Sequence, residues 1–175
     1  TLSFGPPIEQ YKSLMFKCVE PIIQNELVKL FTIKNHIRIT KDCVQKPEFD
    51  IVFTEKQQKL INEIKSLFEL SPFAPPEKNA LNKQFERNID YTSVIDYLKD
   101  CGYLTYTDSQ IAFSSANLDI ALNKFRDLQN KKGEVTLAEF RDALNTSRKY
   151  ALSILNYWDN KNITKMNGEA RKLID

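Results

Sequence analysis

The stretch VTLAEFRDALNTSRKYALSILNYWDNKNITKMNGEARKLI, Val135 to Ile174, contains two helical patterns followed by a β-hairpin pattern. Thr136 and Glu139 have the spacing of a capping box, which predicts that the first helix begins there. The second helix is predicted to begin after Thr146 and Ser147, and its apolar residues recur at helical spacing and should face the core: Ala151, Ile154, Leu155 and Trp158. Two helices in this order, followed by a hairpin, are typical of a helix-turn-helix with a wing.

The hairpin pattern ends the stretch and recurs twice earlier in the chain. In NITKMNGEARKLI two β-rich runs flank Asn167 and Gly168, and Asn-Gly is the strongest short-range hairpin signal. Similar runs surround Lys41 and Asp42 in HIRITKDCVQ, and Asp108 and Ser109 in GYLTYTDSQIAF. A helical pattern precedes each hairpin, and Gly102 is predicted to end the second of these helices.

Longer amphipathic helices are predicted between the hairpins, in TEKQQKLINEIKSLFEL with Thr54 and Gln57 at capping-box spacing, and in SSANLDIALNKFRDLQ. The segment SPFAPPEKNAL is predicted to be a rigid loop before the next helix. A repeat of helices and a hairpin indicates a mainly α fold with small β-hairpin wings (α+β), arranged as tandem winged-helix domains. We expect three domains: residues 1–53, which are partial or divergent, 54–126, which resemble a spacer, and 127–175, which carry the basic site.

Composition gives little support to catalysis. His36 is the only histidine and the chain has four glycines, so a catalytic triad, a multi-histidine metal site and a phosphate-binding glycine loop are all disfavoured. Asp96 and Asp100 are interpreted as solvent-side charges on a helix. Three cysteines without C-x-x-C spacing favour a reduced, cytoplasmic protein, and we expect no membrane segment and a monomer. The chain does not begin with methionine, so we expect it to be a fragment of a longer protein.

Positive charge is concentrated at the C-terminal end. The net charge is +2, but residues 131–175 carry nine Lys or Arg against six Asp or Glu, a net +3. Two of these cations, Arg148 and Lys149, occupy the first turn of a predicted helix, where the macrodipole disfavours positive charge. Together with the hydroxyls of Thr146 and Ser147 they would suit a phosphate.

The predicted wing beside this helix tip is also basic, with Lys165, Arg171 and Lys172 on its two strands. The helix tip and the wing together predict a basic binding surface with two sides. The wing of the second domain has no basic residue. The plainer alternative, that all these cations only solvate the surface, stays open.

These residues closely resemble a known family. GEVTLAEFRDALNTSRKYALSILNYWDNKNITKMNGEARKLI is similar to the last winged-helix domain of the bacterial selenocysteine-specific elongation factor, and SPFAPP resembles a segment of the preceding domain. The resemblance implies that the chain is the C-terminal tandem winged-helix part, which binds an mRNA hairpin so that selenocysteyl-tRNA is delivered at UGA codons. GTP and magnesium would then belong only to an absent GTPase domain, and no cofactor is expected here. Ribosome and selenocysteyl-tRNA would be partners of the full-length factor.

The resemblance also implies RNA contacts at the helix tip and on the wing: Thr146, Ser147, Arg148, Lys149, Lys165, Gly168, Glu169 and Arg171. We add Met166 and Lys172 from their places in the wing pattern. The family usually has glycine at Asn145, two arginines at Lys165 and Met166, and aspartate at Glu169. Asn145 can adopt the left-handed conformation of a glycine. Met166 lacks a cation and could place an apolar contact against a base, which would change the RNA sequence that is read.

Two other classes of function fit the same patterns. A DNA-binding transcription regulator would place the helix in the major groove, but the tip offers few base-reading side chains before Asn156. A winged-helix protein-interaction scaffold would suit the neutral second domain. Salt dependence and a preference for hairpin RNA over duplex DNA distinguish the three.

Overall fold

The computed structural model describes residues 5–40, 42–48 and 51–174. Its elements in chain order are α1 (Ile8–Met15), α2 (Pro21–Ile33), β1 (Arg38–Thr40), β2 (Cys43–Gln45), α3 (Glu55–Leu70), α4 (Lys78–Gln84), α5 (Tyr91–Asp100), β3 (Leu104–Tyr106), β4 (Ala112–Ser114), α6 (Ser115–Lys132), β5 (Val135–Thr136), α7 (Leu137–Leu144), α8 (Arg148–Asn160), β6 (Thr164–Asn167) and β7 (Ala170–Leu173). The predicted fold class, mainly helical with small antiparallel hairpins of the winged-helix kind, is confirmed.

The chain divides into two compact units, Thr1–Glu55 and Lys56–Asp175. In the first unit, α1 and α2 precede the predicted hairpin, in which β1 pairs with β2 in antiparallel register. The predicted turn residue Lys41 lies outside the described residues, whereas Asp42 has a positive φ of 60°. A small core holds this unit together: Phe16, Val28, Ile37 and Val44.

The second unit begins with α3, followed by a proline loop, residues 71–77, and then α4 and α5. The predicted loop SPFAPPEKNAL was too long, because its last four residues, 78–81, already belong to α4. Gly102, with a φ of 75°, follows α5 as predicted. The predicted hairpin around Asp108 and Ser109 forms from β3 and β4. The capping box at Thr54 and Gln57 stays a prediction, while the Gln57 side-chain amide donates to Asp90 Oδ1 at 3.0 Å.

The capping box of Thr136 and Glu139 forms as predicted and begins α7. Helices α6, α7 and α8 then enclose a core in which the predicted inward residues are all buried: Ala151, Ile154, Leu155 and Trp158. The Trp158 ring packs against Phe125 and Phe140. Strand β7 lies between β5 and β6 in an antiparallel sheet, so the wing is fastened to the start of α7.

The wing turn lies one residue later than the sequence predicted. Asn167 pairs with Ala170, so the two turn residues are Gly168 and Glu169 rather than Asn167 and Gly168. Gly168 has a φ of 61°, while Glu169 is not among the residues with positive φ. Glycine at the first position of a two-residue hairpin loop, followed by a residue of negative φ, suits a type II′ turn, whereas Asn-Gly at both turn positions is typical of a type I′ turn.

A buried cluster in the second unit extends across the predicted domain boundary. It includes Phe113 and Phe125 from the predicted second domain together with Trp158 from the predicted third. The predicted boundary between residues 126 and 127 falls within α6. The division of the chain into three domains therefore remains a prediction.

Candidate nucleic-acid interface

A groove of about 480 Å³ lies between the starts of α7 and α8 and the wing. Arg148 and Leu152 of α8 form one side of it. The wing contributes the other side and residues 136–138 the base; the wing residues are Met166, Gly168, Glu169 and Arg171. Half of the predicted contact residues therefore meet at one concave surface.

Arg148 is the first residue of α8. It lines this groove and is exposed to solvent. The chain reaches it through Asn145, whose φ of 50° and ψ of 52° are left-handed, as predicted for a residue that replaces glycine. Ser147 is the N-cap residue, but its side chain accepts no hydrogen bond from the helix. Among the described residues Arg148 has no ion-pair partner, so the tip presents a free guanidinium beside uncapped backbone N–H groups.

Thr146 and Lys149 are held by the proline loop instead. The Thr146 hydroxyl donates to the carbonyl oxygen of Phe73. Lys149 Nζ lies 2.5 Å from Glu77 Oε1, and this hydrogen-bonded pairing raises the pKa of the lysine. The two tip cations therefore differ: Arg148 is free, and Lys149 is neutralised by a carboxylate from the preceding segment.

Arg171 is buried, at 4% exposure, although the resemblance implies an RNA contact there. Its Nε donates to Asp159 Oδ2 at 2.8 Å, and a terminal nitrogen lies 3.3 Å from Asn156 Oδ1. Asp159 also accepts from the Thr164 hydroxyl at 2.6 Å. Arg171 thus connects the wing to α8 through its guanidinium, and only a small part of its side chain lines the groove.

Lys165 and Lys172 lie directly opposite each other on neighbouring strands, and both are exposed. Successive strand residues point to opposite faces, so this pair lies on the face away from Met166 and Arg171. Like charges directly opposite each other destabilise a strand pair. The wing is therefore basic on its outer face and mixed apolar and polar on its groove face, where Met166 is 58% exposed.

The structure places the ten predicted contact residues in three groups, with Ser147 apart from them. Those at the groove are Arg148, Met166, Gly168, Glu169 and Arg171. Thr146 and Lys149 bind the proline loop, and Lys165 and Lys172 lie on the outer wing face. Ser147 is exposed at the N-cap of α8. Their contacts with RNA stay predictions.

Sequence reasoning missed Leu152 and residues 136–138 as groove residues, and Glu77 as the partner of Lys149. Leu152 follows Arg148 by four residues, so helical periodicity could have placed both on one face. The start of α7 was predicted, but its position beside the wing depends on the pairing of β5 with β7. No local signal links Glu77 to Lys149.

Thr136, the N-cap residue of the capping box, lies at the base of the groove. Lys132 donates a hydrogen bond to Glu139 at 2.6 Å, and the backbone N–H of Thr136 donates another at 2.9 Å. The bond from Lys132, followed by those from Thr136, lowers the pKa of Glu139 to about 2. The carboxylate therefore stays ionised throughout the neutral range.

Other kinds of site find no support in the part of the chain that the structure describes. Asp96 and Asp100 are exposed, as predicted, and no group of acidic, cysteine or histidine residues there could hold a metal ion. None of the described helices combines the length and apolarity needed to cross a bilayer.

Residues 126–173 match the family model described as elongation factor SelB, winged helix. This segment is similar to the winged helix of SelB. It contains α7, α8 and the wing, so the groove lies entirely within the matched SelB segment. No curated protein sequence matches the chain.

Two solved structures extend the comparison with SelB. One is the mRNA-binding domain of elongation factor SelB from E. coli in complex with SECIS RNA, with 25% sequence identity, a TM-score of 0.54, and coverage of 70% of this chain and 100% of that chain. The other is a bacterial selenocysteine-specific elongation factor, EF-Sec, with 18% identity and a TM-score of 0.51. The match covers 99% of this chain but 27% of EF-Sec, at an identity that supports the fold alone. The chain thus resembles the SelB mRNA-binding domain over 70% of its length and has the fold of part of EF-Sec.

Proposed function

We propose that this chain is the mRNA-binding part of a selenocysteine-specific elongation factor, and that its groove receives the loop of a selenocysteine-insertion hairpin. The observation that carries the proposal is the place of the groove, between a free arginine at the tip of α8 and the wing of a SelB-type winged helix. The similarity to a SelB domain whose solved structure contains SECIS RNA supports it.

The chemistry of the groove suits single-stranded RNA. The Arg148 guanidinium can hold a phosphate in bidentate geometry. Met166 offers an apolar surface to an unstacked base, and Glu169 at the turn offers a carboxylate to base N–H groups. Lys165 and Lys172 lie opposite each other on the outer face of the wing. The wing can therefore also attract the phosphate backbone at the face that points away from the groove.

The proposal assigns no reaction to this chain. RNA binding here needs side chains and backbone N–H groups, and we propose that it requires no cofactor. GTP hydrolysis, selenocysteyl-tRNA binding and action on the cytoplasmic ribosome are proposed for the longer factor, of which the matched EF-Sec structure is an example.

Fluorescence anisotropy tests the proposal directly. The chain is titrated into a labelled UGA-proximal selenoprotein hairpin, a scrambled hairpin and duplex DNA. We expect hairpin-selective binding, weakened by about 1 kcal/mol or more in Arg148→Ala, because the variant loses hydrogen bonds to a charged group. Arg126→Ala is the matched control, since Arg126 is exposed on α6 and does not line the groove. Equal, weak binding to all three ligands would contradict the proposal.

A further inference from the structure

Alternate residues of the proline loop bond to the first turn of α8. The carbonyl oxygen of Phe73 accepts from the Thr146 hydroxyl, and that of Pro75 accepts from the Tyr150 hydroxyl at 3.1 Å. Glu77, two residues further, meets Lys149 at 2.5 Å. The flanking bonds fix the loop along the helix tip, so the Glu77 carboxylate is held beside the lysine rather than meeting it by chance.

Lys149 faces a second carboxylate, Asp108, which also raises its pKa, by a smaller effect than Glu77. Burial alone would raise the pKa of Asp108, but hydrogen bonds from the N–H of Gln110, the Ser153 hydroxyl and the N–H of Ile111 lower it. Asp108 is therefore ionised and already bonded. Glu77 is the carboxylate whose placement depends on the proline loop.

We propose that Glu77 is a specificity-determining residue for RNA binding. By pairing with Lys149, it leaves Arg148 as the tip cation that is free to bind phosphate, and so limits the sequence-independent attraction of the tip for nucleic acid. The inference rests on the proposed function. Its physical basis is that each phosphate neutralised by a cation adds affinity without regard to sequence.

The pairing would matter because selectivity is a difference between two affinities. Lys149 does not line the groove, so an uncompensated Lys149 would mainly strengthen the binding of RNA that lies outside the groove, whereas the correct loop gains from groove contacts that a scrambled loop lacks. A carboxylate at the tip lowers the affinity of RNA outside the groove and leaves the groove contacts unchanged. The hairpin is then distinguished by the side chains that line the groove.

The test compares Glu77→Gln with Glu86→Gln. Glu86 is exposed in the turn after α4, so its replacement alters the net charge equally and away from the tip. For Glu77→Gln we expect scrambled-hairpin affinity to rise roughly two- to threefold at about 50 mM salt, with the slope of log K against log salt steeper by about 0.7–0.9. The ratio of hairpin to scrambled affinity falls. Glu86→Gln should leave the slope within error of the wild type.

A double variant, Glu77→Gln with Lys149→Gln, separates charge masking from loss of structure. It removes both members of the pair, so the salt slope should return to that of the wild type. A salt slope and selectivity unchanged in Glu77→Gln, with Arg148→Ala still impairing hairpin binding, would overturn this inference and leave the proposed function intact. If Arg148→Ala has no effect and no hairpin is preferred, the proposed function itself fails. A lower melting temperature of Glu77→Gln with an unchanged slope would mean that Glu77 only stabilises the loop, which also overturns the inference.

Discussion

Two arginines with the same predicted role, Arg148 and Arg171, have different environments in the structure. Arg148 is exposed on the groove, while Arg171 is 4% exposed and bonded to Asp159 and Asn156. The strand pattern could have predicted this difference, because side chains alternate between the two faces of a strand. Arg171 therefore lies on the same face as the apolar Leu173, and Lys172 lies on the opposite face. An arginine on the inward face of a small wing must find a carboxylate, because a buried unpaired charge is strongly unfavourable.

Arg171→Met should lower the free energy of unfolding by about 2 to 3 kcal/mol, since it leaves Asp159 without its cationic partner. Urea denaturation measures the change. Lys172→Met, the exposed neighbour, is the control and should not lower stability, because that lysine is exposed and faces the like charge of Lys165 across the strands. Loss of RNA affinity in Arg171→Met without loss of stability would show instead that this arginine contacts RNA directly.

The pair of Lys165 and Lys172 predicts a conflict between stability and binding. Lys172→Gln removes the repulsion across the strands, so it should stabilise the domain by about 0.2 to 1 kcal/mol. It should also make the salt dependence of hairpin binding shallower by about 0.7, as one phosphate contact is lost. Thermal unfolding and anisotropy at several salt concentrations measure the two effects. Lower stability with unchanged RNA binding would contradict this account of the outer wing face.

At the scale of elements, local patterns predicted most of the second unit. The helix α5 ends just before Gly102 as predicted, α7 begins at the predicted capping box, and each predicted hairpin has formed. These features depend on residues close together in the chain, which is why sequence alone could place them. The wing turn was predicted one residue early because the Asn-Gly signal competes with the register of the sheet. Pairing of β7 with both β5 and β6 determines that register.

The capping box should make α7 sensitive to acid. The folded-state pKa of Glu139 is about 2, below its ordinary value of 4.5, so the carboxylate stabilises the fold fully above about pH 4.5. That stabilisation is lost as the pH falls from 4.5 through 2. In Glu139→Gln the melting temperature should lie below that of the wild type at pH 6, and the two should converge near pH 2. A difference that does not depend on pH would contradict this role of the carboxylate.

At the scale of the whole molecule, the decisive contacts join distant parts of the chain. The proline loop was predicted as a rigid loop before α4, and the structure has it there. Its two hydrogen bonds to the tip of α8 each join residues that lie far apart in the sequence, by 73 positions in one case and 75 in the other. No periodicity or turn signal reveals such contacts. The helix tip was therefore predicted with two free cations, whereas the fold leaves one. Composition and local pattern describe which charges are present, and tertiary packing decides which of them remain available.

The second unit should fold and bind RNA without the first. Its core, the proline loop and the groove all lie within Lys56–Asp175. A fragment of residues 51–175 should give a cooperative thermal transition by circular dichroism and keep hairpin affinity within about twofold, since non-contacting segments change affinity little. An unfolded fragment would show that the second unit needs residues before α3 to fold, and a fragment that folds but loses hairpin binding would show that those residues belong to the binding surface.

The central claim is that hairpin RNA binds the groove between α8 and the wing. It is tested most directly by titrating the ¹⁵N-labelled chain with the hairpin and mapping the backbone amide shifts. The account predicts that the largest shifts occur at Arg148, Gly168 and Glu169, with Glu77 little affected, and that a scrambled hairpin of equal length perturbs the groove less. Shifts confined to other surfaces of the chain, or identical shifts with the scrambled hairpin, would contradict it.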